Sequence, residues 1–308
     1  ITPSVVSFHP KGMVLVGAEA KQRRIVDPEN TIYSAKRLIG RPFSSPEVTA
    51  AKDKLPFSLL AGPNDQINIS TRAGKFAIPE ISAIVLDHMR RIARVALNAP
   101  AKKAVVTTPA NFTDAQRQAT ATAGAIAELE VVRIINEPTA AALAYGHMRN
   151  LKQTVAVYDF GGGTFDVTLL EMRNNVYEVI ATAGDMFLGG DDIDARVVSD
   201  MVGAFLQEQR VDLRPDQIAV QRLRAVAEQA KCQLSERPKT IVRVAEIATG
   251  PGGESLDLNF SMTREVFVER IHDIVDRSFS VCDEAFKLAG IAASHIDQQG
   301  LILFPQRN

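Results

Sequence analysis

Cysteine is scarce in this chain. Only Cys232 and Cys282 occur in 308 residues, which excludes a disulfide framework. The five histidines stand singly at positions 9, 88, 147, 272 and 295, so no His- or Cys-built metal centre is expected. A reducing cytoplasm is the compartment this usage suggests. Net charge is nearly absent too: 35 basic and 36 acidic side chains leave −1, which argues against general attraction to nucleic acid or to an anionic membrane. No apolar run approaches the ~20 residues that span a bilayer, and no basic segment followed by an apolar one opens the chain. What is present is 46% hydrophobic content, enough for a large core and for two lobes. The chain opens on Ile1-Thr2-Pro3-Ser4 as though a strand were entered midway, which suggests a fragment.

Local patterns alternate between the helical and the extended period. A strand is predicted over Ser4 to Phe8, and a basic helical piece over Ser34 to Gly40. From Ile78 to Leu97 the residues Ile81, Ile84, Val85, Met89, Ile92 and Val95 recur mostly at three- and four-residue spacing, which predicts an amphipathic helix packed on a sheet. A strand at Lys103 to Thr107 follows. Thr113 and Gln116 then form a capping-box pair at the start of a helix. Strand Val131 to Ile135, a loop through Glu137 and Pro138, and an alanine-rich helix from Thr139 to Tyr145 complete an α/β region. Further on come a strand near Tyr177 to Thr182, a helix ending at Phe205, a long helix from Ile218 to Leu234, and strands at Thr240 to Ile247 and Leu256 to Phe260. A last helix runs from a Thr263 cap to a Gly290 stop, followed by a strand start at Leu301.

The chemistry concentrates in Asp159-Phe160-Gly161-Gly162-Gly163-Thr164-Phe165-Asp166. β-Formers flank it on both sides, so the glycines occupy a hairpin turn whose amides can face an anion without interference from Cβ atoms. A Walker loop and a dinucleotide fingerprint are both excluded, because each must open a helix. Asp159 ends an apolar strand and Asp166 starts the next, positions suited to holding a hydrated Mg²⁺. A second glycine turn, Leu188-Gly189-Gly190-Asp191-Asp192, adds more carboxylates.

Five stretches, AKRLIGR, TPANFTDAQRQAT, IINEPTAAALAYG, DFGGGTFD and GDMFLGGDDID, resemble the nucleotide-binding domain of the heat shock protein 70 family, the DnaK type, in order and spacing. The resemblance runs from Thr2 to about Asp297. It implies an α/β fold of the actin-like ATPase (ribonuclease H-like) class with two lobes, 1–149 and 150–308, each carrying an outer subdomain (about 1–77 and about 188–265). The bound group implied is ATP or ADP with Mg²⁺, and K⁺ is a further candidate ion. Lys36 matches the family lysine at the γ-phosphate and attacking water, and Glu137 the glutamate near metal and water. Thr164 would donate its hydroxyl to the terminal phosphate. Asp159 and Asp166 would position metal and water, with Asp166 as a proton acceptor. Gly161, Gly162, Gly163, Gly189 and Gly190 would cradle phosphates. Glu228, Lys231 and Ser235, on one helix face, match ribose- and adenine-binding positions. A basic side chain usual beside that lysine is replaced by Cys232. Pro109 and Arg117 resemble residues that relay nucleotide state between lobes.

The family's first phosphate hairpin, of the form Asp-Leu-Gly-Thr-Thr, has no counterpart here. Its later Val-Gly-Gly adenosine loop is replaced by Leu303-Phe304-Pro305-Gln306-Arg307-Asn308. The expected function is ATP hydrolysis by water attack on the γ-phosphate, as the ATPase domain of a protein-folding chaperone. J-domain co-chaperones and nucleotide-exchange factors are the partners implied for the parent protein, and unfolded-peptide clients would be reached only through a further domain. The alternative is a non-catalytic remnant that serves as a chaperone-partner interaction module.

Overall fold

The computed structural model of the protein describes residues 2–52, 55–146, 151–173, 176–297 and 301–303. The chain begins with β1 (Val6–Phe8), β2 (Val14–Val16), α1 (Ala18–Arg23), β3 (Thr31–Ile32), α2 (Pro46–Lys52), β4 (Leu59–Ala61), β5 (Ile67–Thr71) and β6 (Gly74–Ala77). Next are α3 (Ile78–Leu97), β7 (Lys103–Thr108), α4 (Asp114–Ile126), β8 (Glu130–Asn136) and α5 (Glu137–Gly146). Three long strands follow, β9 (Lys152–Phe160), β10 (Phe165–Arg173) and β11 (Val176–Asp185). The chain closes with α6 (Gly190–Gln209), α7 (Gln217–Glu236), β12 (Lys239–Thr249), β13 (Ser255–Thr263), α8 (Arg264–Ala289) and β14 (Leu301–Leu303). Residues 304–308, on which the expected departure at the adenosine loop falls, lie outside the described residues.

Two compact units emerge. The first comprises Ile1–Lys21, Glu29–Gly189 and Ser278–Asn308, and the second Gln22–Pro28 and Gly190–Arg277. In the first unit a four-stranded sheet has the order β11-β10-β9-β14, with β14 parallel to β9 and the other pairs antiparallel. From Phe165 to Leu170 the central strand β10 is buried at every residue, so its sequence Phe-Asp-Val-Thr-Leu-Leu lacks the alternation of a half-exposed strand. Against it α5 lays the small residues Ala141 and Ala142, which meet Val155, Val157, Leu170 and Met172. A second core joins Val6, Phe8, Ile32, Leu38, Ile69, Ile78 and Ile81. The β7–β8 pair is parallel, yet Val105 and Val132 are half exposed, so it is not sandwiched between layers as parallel strands usually are.

The amphipathic helix forms over Ile78–Leu97 as its spacing predicts, and Ile78 and Ile81 pack on the strand residues Val6, Phe8 and Ile69 as expected, while another part of α3 packs along α4. Ala83 meets Ala123 and Ala127 there, and small side chains let two helices approach closely. The α4 capping box is formed: Gln116 N donates to Thr113 Oγ1 at 3.4 Å, and Thr113 N donates to Gln116 Oε1 at 3.0 Å. Two local expectations need correction. Ser34 to Gly40 is not a helix but a single 3₁₀ turn over Ala35–Arg37, entered through Ser34 in the left-handed region. Gly40 ends it at φ +66, where an added Cβ would stand 2.6 Å from the Gln116 Cα. Glu137 lies not in a loop but at the first position of α5, where the helix dipole favours a carboxylate.

The second unit packs α6 and α7 against the β12–β13 hairpin. Its core holds Val197, Met201, Phe205, Leu223, Ala227, Leu234, Val244 and Leu258. Asp216 caps α7 by accepting from Ile218 N at 2.9 Å and Ala219 N at 3.0 Å. No helix among the described residues is long and apolar enough to cross a membrane.

Gly40→Ala forces both a left-handed alanine and a backbone clash, so it is expected to lower stability by roughly 1–3 kcal/mol. An unchanged urea midpoint for the variant would contradict this.

Candidate functional site

The hairpin between β9 and β10 closes with Phe160 opposite Phe165, and Gly161 N donates to Thr164 O at 2.9 Å across the turn. One step further along the ladder, Asp159 stands directly opposite Asp166. Cross-strand partners have Cβ atoms about 5 Å apart, so two carboxylates here would repel if both were ionised. Asp159 is 7% exposed and Asp166 only 1%. Asp159 Oδ1 and both carboxylate oxygens of Asp166 have no hydrogen-bond partner. Burial pushes Asp159 up to about 6 and Asp166 up to about 7, the nearby charge of Glu137 adds to both rises, and Lys36 opposes them. Glu137, at the head of α5, accepts from Lys36 Nζ at 2.7 and 3.0 Å. Thr164 is buried beside this cluster at the end of the turn.

The second glycine turn reaches the first through its backbone. A Cβ on Gly189 would lie 2.6 Å from Gly162 O and 2.8 Å from Gly161 O, so only glycine permits this approach. Lys36, Glu137, Asp159, Gly161, Gly162, Gly163, Thr164, Asp166 and Gly189 therefore all belong to the first unit.

The remaining expected residues, Gly190, Glu228, Lys231 and Ser235, belong to the second unit. There Lys231 Nζ pairs with Asp194 Oδ1 at 2.8 Å and donates to Gly190 O at 3.3 Å. Burial raises Asp194 to about 6 against the pull of Lys231. Ser235 Oγ turns back onto its own helix and donates to Lys231 O at 3.5 Å. Cys232 is exposed on the same helix.

Three residues that lie within the quoted motifs but carry no expected role border the cluster. Gly184, opposite Asp166 on β11, leaves the space that the Asp166 carboxylate fills: a Cβ there would come 2.6 Å from Asp166 Oδ1. The Asn111 side chain borders the same space, and its buried Oδ1 has no hydrogen-bond partner. Arg37 Nε donates to Gly163 O at 2.6 Å. A carboxylate beside a glycine on the neighbouring strand leaves no trace in local spacing, and neither does an arginine 126 residues from its acceptor. Arg117 braces the loop around Pro109, donating to Thr108 Oγ1 at 3.0 Å, Ala110 O at 2.9 Å and Phe112 O at 3.2 Å.

Unpartnered buried carboxylate oxygens are suited to a hard cation, since they present oxygen ligands that the protein leaves unsatisfied. Among the described residues no three His, Cys, Asp or Glu side chains stand close enough to ligate an ion directly. The donor set fits an ion that keeps its own water shell, as Mg²⁺ does. A groove of about 1100 Å³ lies elsewhere in the first unit, lined by Val16, Ile84, His88 and Arg91 among others. None of the expected site residues lines it. Four of its charged side chains, Asp87, Arg90, Arg91 and Glu128, are engaged with one another in ion pairs.

Comparison with known proteins settles the class. The family model described as Hsp70 protein matches residues 1–302. The chain belongs to the Hsp70 family. A mitochondrial heat shock 70 kDa protein of Dictyostelium discoideum is 42% identical over 301 residues, covering 98% of this chain and 46% of that protein. The chain thus spans about half the length of this curated relative. An Hsp70 chain is expected to carry an actin-like ATPase fold, and its small mixed sheets and covering helices are consistent with one. The expected cytoplasmic placement is overturned by the same finding, because the relative is a mitochondrial protein. Two free thiols suit any reducing compartment and so do not single out the cytoplasm.

Carboxyls with raised pKa hold protons in the folded chain that the unfolded chain has already released. Their stabilising contribution is complete below the ordinary value of 3.8 and is lost as pH rises through about 6 and about 7. The metal-free chain should lose stability between about pH 5 and 8, with Asp166→Asn removing on the order of 2 kcal/mol of that loss. Denaturant unfolding at both pH values in a chelator checks this, and an equally steep dependence in the variant would contradict it.

Proposed function

We propose that this chain is the ATP-binding and ATP-hydrolysing domain of an Hsp70-type protein-folding chaperone, organised in two lobes that divide near residue 150. The observation that carries this reading is the Lys36–Glu137 ion pair set beside two buried, unpartnered aspartates at a glycine hairpin. Such a set answers the needs of phosphoryl transfer to water, in which positioning and charge stabilisation do most of the work.

In this reading Asp159 and Asp166 would hold a hydrated Mg²⁺, which would supply charge neutralisation at the phosphate oxygens. Lys36 meets the charge that grows on the terminal phosphate, and Glu137 holds the ammonium in place until nucleotide arrives. Asp166, whose pKa of about 7 belongs to the metal-free chain, would ionise as the ion binds and present a carboxylate that can accept a proton from the attacking water. Asp159 shares the task of holding the hydrated ion, and Thr164 donates its hydroxyl to the terminal phosphate. Amides of Gly161, Gly162, Gly163, Gly189 and Gly190 line the phosphate chain. Glu228, Lys231 and Ser235 on α7 contact ribose and adenine, with Cys232 where a cation is usual. K⁺ is a further candidate ion. J-domain and nucleotide-exchange proteins would act on the parent protein.

A non-catalytic interaction module is the second reading, favoured by the half-exposed Val105 and Val132 of the β7–β8 pair. Single-turnover hydrolysis separates the two. The chain should release phosphate from ATP, and Lys36→Ala should slow release by roughly 10²-fold or more. Equal rates would remove the lysine from the mechanism, and a folded chain without hydrolysis would leave the interaction module.

A further inference from the structure

The turn that carries Lys36 is flanked by two arginines, Arg37 and Arg41, that share one aromatic ring. The guanidinium carbon of Arg37 lies 5.6 Å from the Phe187 ring centroid and that of Arg41 5.4 Å. Both distances fall within cation–π range. Arg41 Nε also donates to Arg37 O at 3.1 Å, and its guanidinium pairs with Glu47 at 3.3 Å. Arg37 Nε holds Gly163 O at 2.6 Å. Phe187 is itself fixed: its amide donates to Asp185 Oδ1 at 2.8 Å, and its neighbours Met186 and Leu188 are buried.

We propose that Phe187 is a positioning residue whose ring clamps the Lys36 turn to both glycine turns of the phosphate site. This rests on the ATPase reading above. One arginine reaches the first glycine turn through Gly163, and Phe187 itself is two residues from Gly189, which touches Gly162. The ring is a common π partner that ties both guanidinium groups to the segment carrying Phe187. Without it Arg37 loses that hold, its bond to the Gly163 carbonyl loosens, and Lys36 loses its rigid base. Phe187 touches no reacting atom in this account; it acts through Arg37 and Lys36.

The discriminating pair of variants is Phe187→Leu, which keeps apolar volume but no ring face, and Phe187→Tyr, which keeps both. Phe187→Leu should lower kcat for ATP about tenfold with KM changed less than about twofold, while Phe187→Tyr stays within about twofold of wild type. A purely packing role predicts near-normal turnover for the leucine variant, and that result, or equal damage by tyrosine, would overturn the proposal. A direct readout separates this from failure of the ATPase reading. Ring current displaces the Arg37 and Arg41 Nε–H resonances in wild type and in Phe187→Tyr, and Phe187→Leu should return both to ordinary positions. Resonances unmoved by Phe187→Leu would overturn the clamp whether or not the chain turns over ATP. A chain with the expected shifts but no hydrolysis would overturn only the ATPase reading.

Discussion

The constraint on which the first unit depends is the placing of Asp159 directly across a strand pair from Asp166, with both side chains buried. Burying one unpaired carboxylate is unfavourable, and burying two side by side is more so. The chain tolerates them by leaving both partly protonated near neutral pH and by standing the Lys36–Glu137 pair alongside. The surrounding choices serve this cluster. Gly184 leaves room for the Asp166 carboxylate, Gly189 lets the second turn lie on the first, and the fully buried β10 holds Asp166 in register. Buried, unpartnered carboxylates cost stability, which makes this pair a candidate site.

Much of this was legible in the sequence wherever the signal is local. The α3 helix follows its apolar spacing from Ile78 to Leu97, the Thr113–Gln116 box caps α4, and the glycine hairpin lies between the two strands that flank it. Local reasoning failed where a distant partner decides the conformation. Ser34 to Gly40 has helical composition, but Gly40 packs against the Gln116 backbone and Arg37 is drawn to Gly163, so only one 3₁₀ turn survives. Glu137 precedes a proline and so reads as a loop residue, yet proline is well tolerated in a first helical turn. The candidate residues in the first unit were visible as motifs; Asn111, Gly184, Arg37, Phe187 and Arg41 fall within the same motifs, but their contacts were not legible because each is defined by tertiary packing.

The second unit has its own logic. Its core lies between α6, α7 and the β12–β13 hairpin and depends on no buried charge cluster like that of the first. The partly analogous feature is Asp194, buried and raised to about 6 but paired with Lys231. That pairing draws Lys231 toward Gly190 at the start of α6, so the α7 residues matched to nucleoside positions are held by internal contacts of the unit. The Hsp70 family match spans residues of both units.

The buried aspartate pair has the chemistry to hold a cation that accompanies a phosphate chain. Calorimetric titration of the folded chain with ATP, with and without Mg²⁺ and in two buffers of different ionisation enthalpy near pH 7, tests it most directly. The account predicts saturable, Mg²⁺-dependent binding of about one nucleotide per chain, with release of a fraction of a proton as Asp166 ionises. Binding that is indifferent to Mg²⁺ and releases no proton, or no binding by a demonstrably folded chain, would contradict it.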